Sequence, residues 1–531
     1  MDGAAAVVAA LRSAGVARLF GVPGGGSSLD LMAAAQAAGM AFHLARTETG
    51  AAIMAATTAE LTGAPGAVLT TRGPGVAAAA NGIAHASLDR AALIHLADGF
   101  SPAERGFVTH QFLDHAALMR PITKAQLGAG GRPGAVMAAA LSVALTPPRG
   151  PVLVELTGAD CRAPAEAPPA FTPPPPEPPD PVTLAEAQGL LAQARRPVIV
   201  AGMEARGAAG PLRSLAEALR CPVLLTYKAK GVLPDGHPLF AGIFTGGVAE
   251  APLVGQADLI LLAGADPVEW IPRPWAFTAP VIDLVEVPRH PHYLRAAVTV
   301  AGDVGLALAG LSGAPGGWSE QEVTRAREAW RAAVANAPGG NRGISPQAVV
   351  ELTQSACRAA GRRPRVAVDA GAHMFPCTCF WQAEAPQDLL ISNGLSTMGF
   401  ALPAGIAAAL HDPERGAIAF TGDGGLLMCL GELATAAALG VRLTVVVFND
   451  SALSLIDIKK GERILPPGAL DWPMADLAAV ARALGFSAWR AEEEGAFARA
   501  IAAALAEAGP ALVDARVDPG SYARQMTALR G

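Results

Sequence analysis

The chain is poor in charge, poor in aromatics and free of long apolar runs. Asp, Glu, Lys and Arg make up 16% of its 531 residues, and Phe, Trp and Tyr only 5%. The net charge of −6 is small for this length, and no Lys/Arg run of the kind that tracks a phosphate backbone occurs. Nucleic acid is therefore not an expected partner. Six cysteines (Cys161, Cys221, Cys357, Cys377, Cys379, Cys429) lack paired CxxC spacing, which argues against a zinc site or a disulfide framework and for a reducing cytoplasm. Apolar runs such as LILLAG stop after about six residues, far short of the ~20 that span a bilayer. No membrane association is expected. The opening MDGAAAVVAALRSAGV has an acid at position 2 and no basic stretch, and reads as an amphipathic helix rather than a signal peptide.

What is abundant is small and apolar: 51% hydrophobic residues, with 59 Gly and 44 Pro. The length prior is roughly three or four domains. The proline-rich stretch APAEAPPAFTPPPPEPPDP, here taken as a linker over 163–181, has few N–H groups to donate and holds an extended path. A softer boundary falls in ANAPGGNRGISP (335–346), before a helix expected to start at Ser345 or Pro346. Three blocks result, 1–162, 182–335 and 345–531.

Each block alternates short apolar runs with Ala/Leu-rich helical periods. GAVLTT and AALIHLAD are expected strands in the first, RPVIVAG, CPVLLT and ADLILLAG in the second, and RVAVDAG, GAIAFTGDG and LTVVVFND in the third. Such runs between helices predict α/β domains, each a doubly wound parallel sheet covered on both faces. Ligands bind beyond the C-terminal ends of such strands.

In the third block AIAF is read as a strand, TGDGG as its exit turn, LLMCLGELATAAALG as one helix, and LTVVVF as a second strand ending at Asn449 and Asp450. Asp423 and Asp450 then leave the same edge of one sheet. Two hard oxygen ligands beside Gly422, Gly424 and Gly425 suit Mg²⁺ carrying a diphosphate better than a bare phosphate. A GDG turn alone is equally compatible with an ordinary tight turn.

GDG, 24 further residues and then Asn-Asp resembles the diphosphate and metal signature of thiamine-diphosphate enzymes. In that family the second position of the pair is usually Asn, where this chain has Asp450. The resemblance implies the carbonyl of Ala452 as a third metal ligand, and Met398, in ISNGLSTMGFALPAGIAAAL, as the wedge between the two cofactor rings. DAGAHMF (369–375) matches a loop flanking the cofactor, with His373 lining it. RLFGVPGGGSSLDLM and ARTETGAAIMAA resemble the pyrimidine-binding pattern and place Glu48 at the catalytic glutamate, which shares a proton with the pyrimidine N1′. LTTRGPGVAAAANGIAHASLDRAALIHLADG matches a further segment of that domain, with Gly73, Pro74 and Gly75 near the pyrimidine.

The resemblance thus implies pyrimidine-binding, central and diphosphate-binding domains, with active sites shared between subunits of a homodimer or homotetramer. It points to the branch holding acetolactate synthase, pyruvate oxidase and benzoylformate decarboxylase. Their chemistry is attack of a C2 carbanion on a 2-oxoacid, loss of CO₂ and transfer of the enamine to a proton, a carbonyl acceptor or a flavin.

GFVTHQFLDHAALMRPITK (106–124) is similar to an acetolactate-synthase segment and implies His110 and Gln111 at the reacting centre and Lys124 near it. Arg72 is a candidate carboxylate anchor. Two features depart from that enzyme: Ile458 and Lys459 stand where it carries Gln-Trp, and its flavin-contacting RFDDR is replaced by GADPVEWIPRPW (264–275). FAD is therefore doubtful. The expected activity is that of a lyase or carboligase, with two alternatives: a decarboxylase releasing an aldehyde, or a non-catalytic regulatory or assembly relative.

Overall fold

The computed structural model describes residues 1–271, 273–289, 294–335 and 343–531. The stretch 336–342, the heart of the expected second boundary, lies outside the described residues.

Three parallel sheets of six strands organise the chain. The first contains β1 (Arg18–Val22), β2 (Ala41–Leu44), β3 (Gly66–Thr70), β4 (Leu93–Asp98), β5 (Ala125–Gly128) and β6 (Pro151–Leu156), in the order β2-β1-β3-β4-β6-β5. The second contains β7 (Pro197–Ala201), β8 (Val223–Leu225), β9 (Phe240–Ile243), β10 (Leu259–Ala263), β11 (Val281–Val285) and β12 (Val298–Ala301), in the order β12-β11-β10-β7-β8-β9. The third contains β13 (Arg365–Val368), β14 (Leu389–Ile391), β15 (Ala417–Gly422), β16 (Leu443–Asn449), β17 (Ser487–Ala491) and β18 (Ala511–Arg516), in the order β14-β13-β15-β16-β18-β17.

All three sheets are doubly wound α/β, as the near-continuous apolar strands predict. The central strands β3, β4, β7, β10 and β16 are buried at every residue because helices cover both faces. From Ala165 to Asp180 the chain forms no helix or strand, and a helix starts at Pro181 behind its Asp180 cap. Pro346 likewise opens a helix capped by Ser345.

The first and third sheets are joined by a shared core in which the helix Glu48–Thr62 packs on the helix Ala401–His411. Alanines of both helices lie in this shared core and let the two approach closely. No helix among the described residues is long and apolar enough to cross a membrane.

Candidate active site

The cavity of interest lies beyond the C-terminal ends of β13, β15 and β16. It encloses about 260 Å³ and is lined by His373, Met398, Asp423, Asp450, Tyr522 and Arg530 among others. Strands β15 and β16 are adjacent and in register, Gly422 opposite Phe448, so their exit turns must face each other. Topology alone brings the two acids together.

The exit of β15 differs from the sequence expectation in one respect. The single helix expected from Leu426 is two short helices, Asp423–Met428 and Glu432–Leu439, the first beginning on Asp423 itself. The Cys429 N–H closes back on Leu426, and Gly431 lies against Arg46, whose Cβ would be 3.1 Å from a Cβ added there. The break turns Glu432 toward the first domain.

Asp423 is buried, and its carboxylate accepts from its neighbour Gly424 N at 2.9 Å and from Ser451 N at 2.8 Å. Burial, then the nearby Asp450, pushes its pKa up to about 7. Asp450 accepts from Ser454 Oγ at 2.5 Å and is also raised, chiefly by burial. Two desolvated carboxylates facing each other make a site that a hard divalent cation would relieve. Ser451 between Asp450 and Ala452 adopts φ +59°, a strained left-handed turn that carries Ala452 to the cavity wall.

The glycines are there for space. A Cβ on Gly424 would come within 3.1 Å of Trp472 and 3.6 Å of Met398 Cε, and one on Gly422 within 3.2 Å of His373. A Cβ on Gly425 would strike the Asp369 carboxylate at 2.6 Å. His373 stacks on Phe448 at 5.4 Å, is buried, and has its pKa lowered to about 3 by desolvation. Its Nε2 has no hydrogen-bond partner among the described residues. A neutral imidazole with a free ring nitrogen thus faces a cavity whose other walls are Met398 and the acids.

Several residues here were not singled out from the sequence. Asp369, fully buried, accepts from Gly399 N (3.2 Å), Phe400 N (3.1 Å) and Thr421 Oγ1 (2.8 Å), tying the loop beside Met398 to the strand that ends in GDG. Its place at the end of β13 in DAGAHMF was the available signal. Tyr522 and Arg530 come from the last helix, Tyr522–Arg530, whose sequence carries no motif.

The first-domain candidates lie elsewhere in the chain. Glu48 starts the helix Glu48–Thr62, half-buried, with Thr47 as its side-chain cap and Gly75 behind it. Gly73, at φ +60°, opens the helix that begins with Pro74, and donates its N–H to His115 Nε2 at 2.9 Å. None of these lines the cavity of the third domain within one chain.

The substrate-facing candidates sit in different surroundings. Arg72 is not free to anchor a carboxylate: its guanidinium pairs with Asp98 (3.1 Å) and Glu104 (3.6 Å) and lies over Phe100. Lys124 precedes β5 and so sits at the edge of the sheet opposite the strand exits, where its ammonium donates to the carbonyls of Val143 (2.6 Å) and Thr146 (2.5 Å). His110 and Gln111 are exposed, on a loop whose Gln111 carbonyl packs against Gly73. Lys459 does line the cavity, from the helix Ser454–Lys460.

Comparison with known proteins matches each of the three sheets to a domain. Residues 1–118 match the N-terminal TPP binding domain of thiamine pyrophosphate enzymes, 184–311 their central domain, and 369–515 their C-terminal TPP binding domain. The chain is 28% identical to an acetolactate synthase of Bacillus subtilis, over 97% of this chain and 93% of that one. It is 29% identical to an acetolactate synthase large subunit of Parasynechococcus marenigrum, over 98% and 88%. It is also 28% identical to a probable 2-ketoarginine decarboxylase of Pseudomonas aeruginosa, over 96% and 93%. With all three domains matched in order, and with the acids, glycines and Met398 gathered at the exits of β15 and β16, the chain belongs to the thiamine pyrophosphate enzyme family.

Proposed function

We propose that the protein is a thiamine-diphosphate- and Mg²⁺-dependent lyase or carboligase that acts on a 2-oxoacid. The observation that carries the reading is the convergence of Asp423 and Asp450, both with raised pKa values, in one cavity with Met398 and the unpartnered His373 Nε2. That donor set fits a divalent cation and a diphosphate. Bound there, thiamine diphosphate supplies an electron sink for loss of CO₂ from a 2-oxoacid.

The chain's own residues then have distinct tasks. Asp423, Asp450 and the Ala452 carbonyl hold Mg²⁺, and the Cβ-free Gly422, Gly424 and Gly425 leave room for the diphosphate. Met398 wedges the cofactor rings. Glu48, at the start of a helix whose next turn Gly50–Met54 is buried and apolar, would share a proton with the pyrimidine N1′. His373, neutral at working pH, offers a nitrogen that accepts or returns a proton at the reacting carbonyl.

Glu48 does not line the cavity within one chain, which supports an active site closed by the first domain of a second copy, and hence a homodimer or homotetramer. The six free, buried cysteines support a reducing, cytoplasmic setting. Around the strand exits of the central domain, arginines already have acids as partners: Arg289 with Glu204 (2.8 Å) and Asp266 (2.9 Å), Arg206 with Glu60 (2.7 Å), and Arg90 of the first domain with Asp266 (2.7 Å). A flavin dinucleotide would have to compete with those pairs, which supports a reading without FAD.

A plain decarboxylase is the second reading, favoured by the relative named as a decarboxylase. Product analysis by NMR decides between them. The enzyme is incubated with thiamine diphosphate, Mg²⁺ and a panel of 2-oxoacids, with and without a carbonyl acceptor. A hydroxyketone establishes carboligation, free aldehyde alone establishes the decarboxylase, and failure to exchange the cofactor C2 hydrogen overturns both.

A further inference from the structure

The cavity carries cations that the acids of the protein do not neutralise. Arg72 and Lys124 are occupied elsewhere, as described above. Among the described residues, neither Arg530 nor Lys459 is in an ion pair, yet both side chains line the same cavity as Met398 and His373. Lys460, next in sequence, does pair, with Asp457.

Arg530 is also held in place. Its guanidinium lies 5.2 Å from the Phe375 ring centroid and 3.7 Å from Met374 Sδ, so one face rests on apolar and aromatic surface. The helix turn that carries it is fixed by the central domain. Val248 N and Ala249 N donate to Ala528 O at 3.0 and 2.9 Å, Thr245 Oγ1 donates to Leu529 O, and the Arg273 guanidinium donates to Arg530 O. Upstream, Gln525 Nε2 donates to Val334 O at 3.0 Å. An arginine anchored by a different domain from the one that forms the cavity is a preorganised anion site.

Which anion it takes follows from the chemistry proposed above. The leaving carboxylate of a 2-oxoacid loses its charge as CO₂ departs. A guanidinium paired with it would stabilise the ground state more than the transition state and slow the step. A second anionic group, distal to the reacting carbonyl, keeps its charge throughout and is bound equally in both states. We propose that Arg530, assisted by Lys459, binds such a distal anion, so that the preferred substrate is a 2-oxoacid with a second acidic group. This rests on the 2-oxoacid reading of the site.

The test compares kcat/KM for matched pairs, 2-oxoglutarate against 2-oxopentanoate and 2-oxoadipate against 2-oxohexanoate, in wild type, Arg530→Met and Lys459→Met. Wild type should prefer one dianion by on the order of 100-fold, since a desolvated charge-assisted pair discriminates by that much. Arg530→Met should collapse the ratio to below about fivefold, and Lys459→Met, a change on a separate and more exposed helix, should lower it in the same direction. Arg530→Lys should restore part of it. The idea fails if wild type prefers the monoanion, if both variants leave the ratio unmoved, or if Arg530→Met weakens thiamine diphosphate binding while the ratio holds, which would make it a cofactor anchor. Exchange of the cofactor C2 hydrogen in wild type is measured alongside: its absence removes the 2-oxoacid reading itself, whereas exchange without turnover of any dianion overturns only the specificity proposed here.

Discussion

Glu432 Oε1 accepts hydrogen bonds from both Thr47 N and Thr47 Oγ1 at 2.9 Å, so an acid of the third domain fixes the residue that caps the helix beginning at Glu48. The same carboxylate takes Arg46 N at 3.1 Å and Thr435 Oγ1 at 2.7 Å. Gly50 is part of the fit, since a Cβ there would meet Glu432 Oε1 at 2.4 Å. Glu432→Ala leaves four donors without their acceptor and should cost about 2–4 kcal/mol in stability. It should also slow C2 hydrogen exchange by roughly tenfold through displaced Glu48. Exchange at the wild-type rate in the folded variant would separate Glu432 from the positioning of Glu48.

Glu48→Ala is the complementary change. Glu48 is half-buried at a helix start that Thr47, not Glu48, caps with its side chain. The variant should keep its melting temperature within a few degrees and still bind thiamine diphosphate, while C2 hydrogen exchange falls by about 10²–10⁴, the usual span of a lost acid–base partner. Isotope exchange followed by NMR after acid quench reads the effect. An unchanged rate would refute the role given to Glu48.

Asp423→Ala removes one of two facing carboxylates. Without it the apo protein loses a repulsion, because the nearby Asp450 raises the pKa of Asp423 on top of burial. Apo stability should therefore hold or rise slightly, while Mg²⁺-dependent retention of thiamine diphosphate on a desalting column is lost. Retention equal to wild type would remove the metal from Asp423.

The parallel sheets and the meeting of Asp423 with Asp450 were legible in the sequence, because continuous apolar strands and adjacent strand exits follow from local pattern. The fates of the cations were not. Nothing near Arg72 in sequence announces Asp98, 26 residues on, or Glu104. Arg530 enters the cavity through docking of a motif-free helix on another domain, a contact between residues over 250 apart. Nor does the segment 106–124 announce that the Lys124 ammonium donates to the carbonyls of Val143 and Thr146.

Lys228 illustrates the same blindness in the core. Its buried ammonium lies 3.0 Å from Glu60 and 3.4 Å from Asp89 and donates to Ile391 O at 3.3 Å, joining all three domains. Glu60, His85 and Asp89 have metal-like spacing, but the ammonium is already there. Lys228→Met leaves Glu60 with Arg206 alone and Asp89 with His85 alone, and should cost about 3–5 kcal/mol. Calorimetry should show a lower melting temperature that added Zn²⁺ does not restore; a melting temperature equal to wild type would mean that the network contributes nothing.

Asp369 sets a pH dependence with a definite sign. Burial raises its pKa to about 6 against the donors Thr421, Phe400, Ala370 and Gly399, from an ordinary value of 3.8. Between those two values the folded chain holds a proton that the unfolded chain has released, so this group lowers stability as pH rises from about 4 to 6, and adds no slope above or below. Asp369→Asn removes the titration but turns an amide toward donors, leaving Gly399 N or Phe400 N without an acceptor. The variant should be less stable than wild type at pH 4, with the gap narrowing by pH 7. Urea titrations at both pH values measure it, and a gap that widens with pH would mean that the carboxylate is charged in the folded protein across the whole range.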